Sequence, residues 1–82
     1  MSNYPFTREF AFNQECLRAF TKLLTAKLHQ AELQGHYGWY SEMLVPDEDL
    51  KAAFYESVRK GDTVDIAIYC MMLQQRGIKL KS

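Results

Sequence analysis

Apolar residues recur along residues 13–34 at alternating spacings of three and four: Leu17, Phe20, Leu24, Leu28 and Ala31. Arg18, Thr21, Lys22, Thr25, His29 and Glu32 fall mostly on the opposite side, and Cys16, Leu23 and Lys27 flank the stripe. That period predicts an amphipathic helix of about six turns over 13–34, with Gly35 placed as its left-handed stop. Upstream, residues 1–12 are polar and aromatic, with Tyr4, Phe6, Phe10 and Phe12. Pro5 discourages a helix before it, and Thr7 or Asn13 could each cap a helix that starts there. Residues 1–12 are therefore expected to form an N-terminal arm whose aromatics tuck against the rest of the domain.

The period breaks at 36–46, His-Tyr-Gly-Trp-Tyr-Ser-Glu-Met-Leu-Val-Pro, a connector rich in aromatics. A second helix is expected over 47–60. Asp47, Glu48 and Asp49 crowd its start, where negative charge meets the positive end of the helix dipole, and Arg59 and Lys60 complement the other end before Gly61. Its buried stripe reads Leu50, Ala53, Phe54 and Val58. A third helix is expected over 62–76. Asp62 with Asp65 resembles a capping box in which Asp replaces Glu, and Gly77 followed by Ile78 suits a Schellman stop. Residues 77–82 remain as a short basic tail. From Val64 to Leu73 the third helix is apolar almost all round, which marks a central helix or a subunit interface.

These elements predict an all-α fold: a small three-helix bundle of one long helix plus a helical hairpin, in a single domain over residues 1–82. An 82-residue chain that is 48% apolar has room for one thin core and no second domain. The apolar third helix leads us to expect a homo-oligomer, with Ile66, Tyr69, Met72 and Leu73 at the interface. Ten basic residues balance ten acidic ones. That balance argues against binding nucleic acid or a membrane surface through bulk positive charge. No apolar run approaches the ~20 residues of a membrane span, and the start of the chain lacks the pattern of a signal peptide. A cytoplasmic protein is expected. Cys16 and Cys70 each sit in an apolar helical pattern, so both are expected as buried thiols rather than a disulfide or a nucleophile.

Two clusters could carry chemistry. Glu56, Asp62 and Asp65 fall near the turn between the second and third helices. Converging there, their oxygens could hold a hard cation such as Mg²⁺, which could grip a phosphate. The plainer alternative has Asp62 and Asp65 capping a helix and Glu56 solvated. In the connector, Tyr37, Trp39, Tyr40 and Met43 could anchor a protein partner, and the rings could stack on a base. The plainer alternative has Trp39 and one Tyr plugging the core. His29 and His36 lack companions at zinc-ligand spacing, and no Gly-rich phosphate loop is present. The basic residues of the first helix alternate with Glu15 and Glu32, as on a solvated face.

The run Gly38-Trp39, Leu50, Glu56 and then Lys60-Gly61-Asp62-Thr63-Val64-Asp65-Ile66-Ala67-Ile68-Tyr69-Cys70-Met71-Met72-Leu73 resembles the C-terminal part of small MazG-like proteins of phages and bacteria. The likeness covers about half of the chain. It implies an all-α, oligomeric, Mg²⁺-dependent enzyme that hydrolyses nucleoside triphosphates to monophosphates. In that pattern Asp65 matches the Asp of Glu-x-x-Asp and Glu56 matches one acid of Glu-Glu-x-x-Glu. Asp62 replaces a Glu, and Tyr55 and Arg59 stand where the other two acids belong. Triphosphate chemistry on Mg²⁺ takes several carboxylates held together, so the likeness supports a shared scaffold better than a shared reaction. The size and the Gly-Asp-x-Val-Asp helix start are also similar to small temperate-phage accessory proteins.

The expected function is therefore that of a non-enzymatic, phage-type accessory protein. It would bind a host or phage protein through Tyr37, Trp39, Tyr40 and Met43, without a cofactor. The alternative is a reduced MazG-like pyrophosphohydrolase holding Mg²⁺ on Glu56, Asp62 and Asp65. A DNA-binding regulator is a third reading.

Overall fold

The computed structural model describes residues 4–36 and 38–80, with side chains from Thr7 onward. Three helices follow in order: α1 (Tyr4–Leu33), α2 (Asp47–Lys60) and α3 (Thr63–Arg76). The all-α bundle is as expected, with α2 and α3 forming the hairpin on which α1 packs. Both α1 and α2 pack on α3 and not on one another.

α2 has the expected bounds. Its first turn carries Asp47, Glu48 and Asp49, its last turn Arg59 and Lys60, and Gly61 follows in the left-handed region. At α3 the Asp62 carboxylate accepts the backbone N–H groups of Val64 and Asp65, both at 3.1 Å. Its far end is the Schellman stop: Gly77 adopts φ 70°, and the Ile78 N–H bonds back to the Leu73 carbonyl at 3.0 Å. Only glycine takes that angle without a Cβ clash. Ile78 packs against the core, as the motif requires.

α1 departs from expectation. It begins at Tyr4, not Asn13, and runs unbroken for 30 residues. Pro5 is tolerated because it falls in the first turn, where its missing N–H has no helical partner to lose. Nothing between there and Leu33 stops a helix. Phe10 and Phe12 do not tuck against the domain; they are 65% and 63% exposed.

The length of α1 sets the shape of the molecule. At ~1.5 Å per residue it is about 45 Å long, against about 21 Å for each hairpin helix. The hairpin covers only its C-terminal half. A compact chain of this size has a radius of gyration of about 12 Å; here it is 16.0 Å, with a longest extent of 54 Å.

The core is Leu50, Phe54, Ile68, Met72 and Leu73, with Leu24, Leu28, Trp39, Val45, Val64, Ile66, Tyr69 and Ile78 packed against it. Val58, expected inside, is 47% exposed, and Ser57 is buried in its stead. The Ser57 hydroxyl donates to the Phe54 carbonyl at 2.7 Å, which removes the penalty of burying it. Both cysteines are exposed, not buried. Cys16 lies on the uncovered half of α1, and Cys70 on a side of α3 that neither α1 nor α2 covers. Met72 and Leu73, expected at an oligomer interface, lie in the core of the single chain at 8% and 4% exposure. Ile66 and Tyr69 are half-buried against it.

Candidate functional site

Because the backbones of α1 and α2 stay apart, a groove of about 830 Å³ lies between them. Its floor is α3, through Ile68, Tyr69 and Met72; its walls are Leu28 and Ala31 of α1 and Leu50 and Ala53 of α2. The lining is apolar because these are the core-facing positions of three helices, one pair of which is held apart.

The connector forms one end of the groove. Gly38, Trp39, Tyr40 and Val45 all line it. The connector folds as successive turns, with the Ser41 N–H on the Gly38 carbonyl at 3.0 Å and the Val45 N–H on the Ser41 carbonyl at 2.8 Å. Gly38 is buried, with φ 103°, and a Cβ there would stand 3.3 Å from Leu44 Cδ1. Any other residue would combine a disfavoured backbone angle with crowding. That tight turn presents Trp39 to the core edge and leaves Tyr40, Met43 and Leu44 outside, at 76%, 93% and 65% exposure.

Of the four expected partner contacts, Trp39 and Tyr40 reach the groove and Met43 stands beside it on the surface. Tyr37 lies outside the described residues. Trp39 also packs against the core, the plainer of the two roles that the sequence left open.

The downstream end of the connector is pinned by Arg76, whose side chain is only 10% exposed. Its guanidinium donates to Asp47 Oδ1 at 2.9 Å and to the Val45 carbonyl. The last turn of α3 thus holds the first turn of α2. No sequence feature announced this pair, which joins residues far apart in the chain.

At the other end of the groove, Lys27 of α1 meets the start of α3. Its Nζ lies 3.4 Å from Asp65 Oδ1 and 3.8 Å from Asp62 Oδ2. The Asp65 backbone N–H holds the Asp62 carboxyl below the usual carboxylate range, helped by the Lys27 charge and the Val64 N–H against an opposing desolvation. Glu56 is not part of this cluster. It pairs with Arg59 at 2.5 Å, and that hydrogen bond lowers its pKa. So Asp62 caps α3, as the capping alternative has it, whereas the Asp65 carboxylate makes no cap hydrogen bond and meets Lys27 instead, which joins the two aspartates around a lysine ammonium. Among the described residues no three His, Cys, Asp or Glu side chains come together as a metal set.

The groove's remaining rim is polar and carries uncompensated negative charge. Asp49 and Glu32 stand along it with Gln30, Gln34 and His36. Glu32 faces His29 at 3.8 Å, a charged pair only when the imidazole is protonated.

Among the described residues, no helix is long and apolar enough to cross a membrane. The chain matches no known protein-family model, no curated protein sequence and no solved structure.

Proposed function

We propose that this is a protein-binding accessory module that takes an amphipathic helix of a partner protein in the groove between α1 and α2. One observation carries the reading: two helices are held apart over an apolar floor, leaving an open trough of about 830 Å³ whose lining is mostly apolar. Trp39 and Tyr40 at its end are anchors of the type that dominate such contacts. Asp49 and Glu32 on the rim favour a partner helix with basic flanks. In this reading the chain is a small accessory protein of phage type that needs no cofactor.

The two other readings have less support. A Mg²⁺-dependent hydrolase needs Glu56, Asp62 and Asp65 to converge, and here Arg59 and Lys27 engage them instead. A DNA-binding regulator needs a basic surface, and the groove rim is acidic.

The single tryptophan makes the test direct, because its emission reports on the groove. Apolar helical peptides with basic flanks should shift Trp39 fluorescence saturably, and the same peptides with acidic flanks should not. Ala53→Arg, placed in the α2 wall, should abolish the shift while leaving the helical circular dichroism intact. If no peptide of either kind produces a saturable change, the groove is not a helix receptor.

A further inference from the structure

The two ends of the groove differ in charge. α1 and α3 run the same way along it, from Lys27 and Asp65 toward the connector, and α2 runs against them. At the Lys27 end the lining charges cancel, because Lys27 Nζ lies 3.4 Å from Asp65 Oδ1. At the connector end they add. Glu32, in the last turn of α1, and Asp49, in the first turn of α2, both line the groove there and are exposed. The neighbours of Asp49 are engaged, Asp47 by Arg76 and Glu48 by Lys51. Among the described residues Asp49 itself has no cation within ion-pair distance, and Glu32 meets only the His29 imidazole.

We propose that the groove takes its partner helix in one direction only. The N-terminal turn of the partner, carrying its Lys or Arg residues, lies at the connector end beside Glu32 and Asp49, and its C-terminal turn lies at the Lys27 end. This polarity rests on the groove being a helix receptor. It adds that the partner's basic residues precede its apolar anchors rather than follow them. Two carboxylates without a lysine or arginine of their own attract cations at that end, and the neutralised Lys27 end offers no comparable pull.

Helix dipoles give the same direction. Seated this way, the partner lies antiparallel to α1 and α3 and parallel to α2. The last turn of α1 has no basic residue, so the partial negative charge of its carbonyl end faces the partner without a compensating side chain and favours the positive N-terminus of a neighbouring helix. The N-terminus of α2 also lies at this end and by itself would oppose that seating. Asp47, Glu48 and Asp49 in its first turn reverse the sign. The opposite seating would bring the partner's carbonyl end against Glu32 and Asp49, like against like.

The floor sets how many anchors follow the basic turn. From Asp65 to Met72 it is about 10 Å long. Apolar side chains at i, i+4 and i+7 of one helix span the same distance. The partner segment is therefore one basic turn followed by two turns with three apolar anchors, the first of them beside Trp39 and Tyr40.

Two blocked peptides of identical composition test this, with leucines at i, i+4 and i+7 and two lysines placed either before or after them. Trp39 fluorescence is titrated with each at about pH 8, where imidazoles are neutral. The peptide with leading lysines should bind the full chain at least about fivefold more tightly, the combined effect of two partly exposed ion pairs. The other peptide is the better helix former on its own, so this preference cannot come from peptide helicity. In the double variant Glu32→Gln, Asp49→Asn the two peptides should bind alike, and because both positions are exposed the variant should keep the helical circular dichroism. In the wild-type chain, a nitroxide on the N-terminus of the leading-lysine peptide should quench Trp39 more strongly than one on its C-terminus. If neither peptide binds, the receptor reading and its polarity fall together. Equal affinities, tighter binding of the trailing-lysine peptide, stronger quenching from the C-terminal label, or a preference that survives in the folded double variant overturns the polarity alone.

Discussion

The two halves of α1 are built from the same repeating pattern and meet different fates. From Leu24 to Ala31 the stripe packs on α3, and Lys27 is tied to Asp62 and Asp65. From Phe10 to Leu17 the same kind of side chain stands in water. Nothing local separates them. The difference comes from the hairpin, whose helices are less than half as long as α1. An amphipathic period states that a face is to be covered; the lengths of the other elements decide whether the same chain does the covering. The ends of α1 reinforce the point, since its first turn has no acidic residue and its last turn no basic one. Its stability rests on packing rather than on its dipole, so the uncovered half is held mainly by continuity with the covered one.

This contrast can be broken at several strengths. The largest effect is expected in the floor shared by all three helices. Leu73→Ala, at a position 4% exposed, should cost about 2–5 kcal/mol in urea unfolding. Leu28→Ala, in the covered half of α1, should cost less, about 1–2 kcal/mol, because its side chain is only half-buried. Leu17→Ala, at the matching position of the uncovered half, should change the stability of the monomer by no more than about 0.5 kcal/mol. Equal effects at Leu28 and Leu17 would erase the distinction.

Hydrogen exchange sharpens the same comparison without a change in the core. Amides of residues 8–19 should exchange faster than those of 24–33. Equal protection in the two halves would show that the N-terminal half does not depend on the hairpin.

The smallest effect concerns acid. The Asp62 carboxyl has a folded-state pKa below its ordinary value, so it stabilises the fold where it is ionised in both states, above about pH 4. That contribution is lost as pH falls through the lowered folded value. The melting temperature should therefore drop between pH 5 and 2, and Asp62→Asn should flatten part of that slope. A variant with an unchanged slope would remove the carboxylate from the account.

The sequence discloses what is encoded locally. Asp47–Asp49 with Gly61 mark both ends of α2, and Asp62 with Gly77 mark those of α3, because caps and dipole complements act within one turn. Features that depend on which helices meet were not legible. Ser57 replaces Val58 inside because α3 approaches one side of α2 and not the next. The exposure of Cys16 follows from the reach of a distant hairpin. The groove exists because α1 and α2 stay apart, and no residue on either helix states that. For the candidate site, Trp39 and Tyr40 stood out by type alone, whereas Lys27, Asp49 and Arg76 gained their places only through tertiary packing.

The Arg76 corner has a lopsided tolerance to change. Guanidinium remains charged at any pH the protein meets, and this one is sealed among α2, α3 and the end of the connector, with its Nε buried and unpaired within the protein. Its counterion Asp47 is far more open, at 41% side-chain exposure. Deleting the carboxylate would strand a cation that cannot shed its proton, whereas replacing the arginine with methionine would leave a carboxylate free to turn outward into water. Of two substitutions that sever one salt bridge, the one at the more superficial residue should do the greater harm.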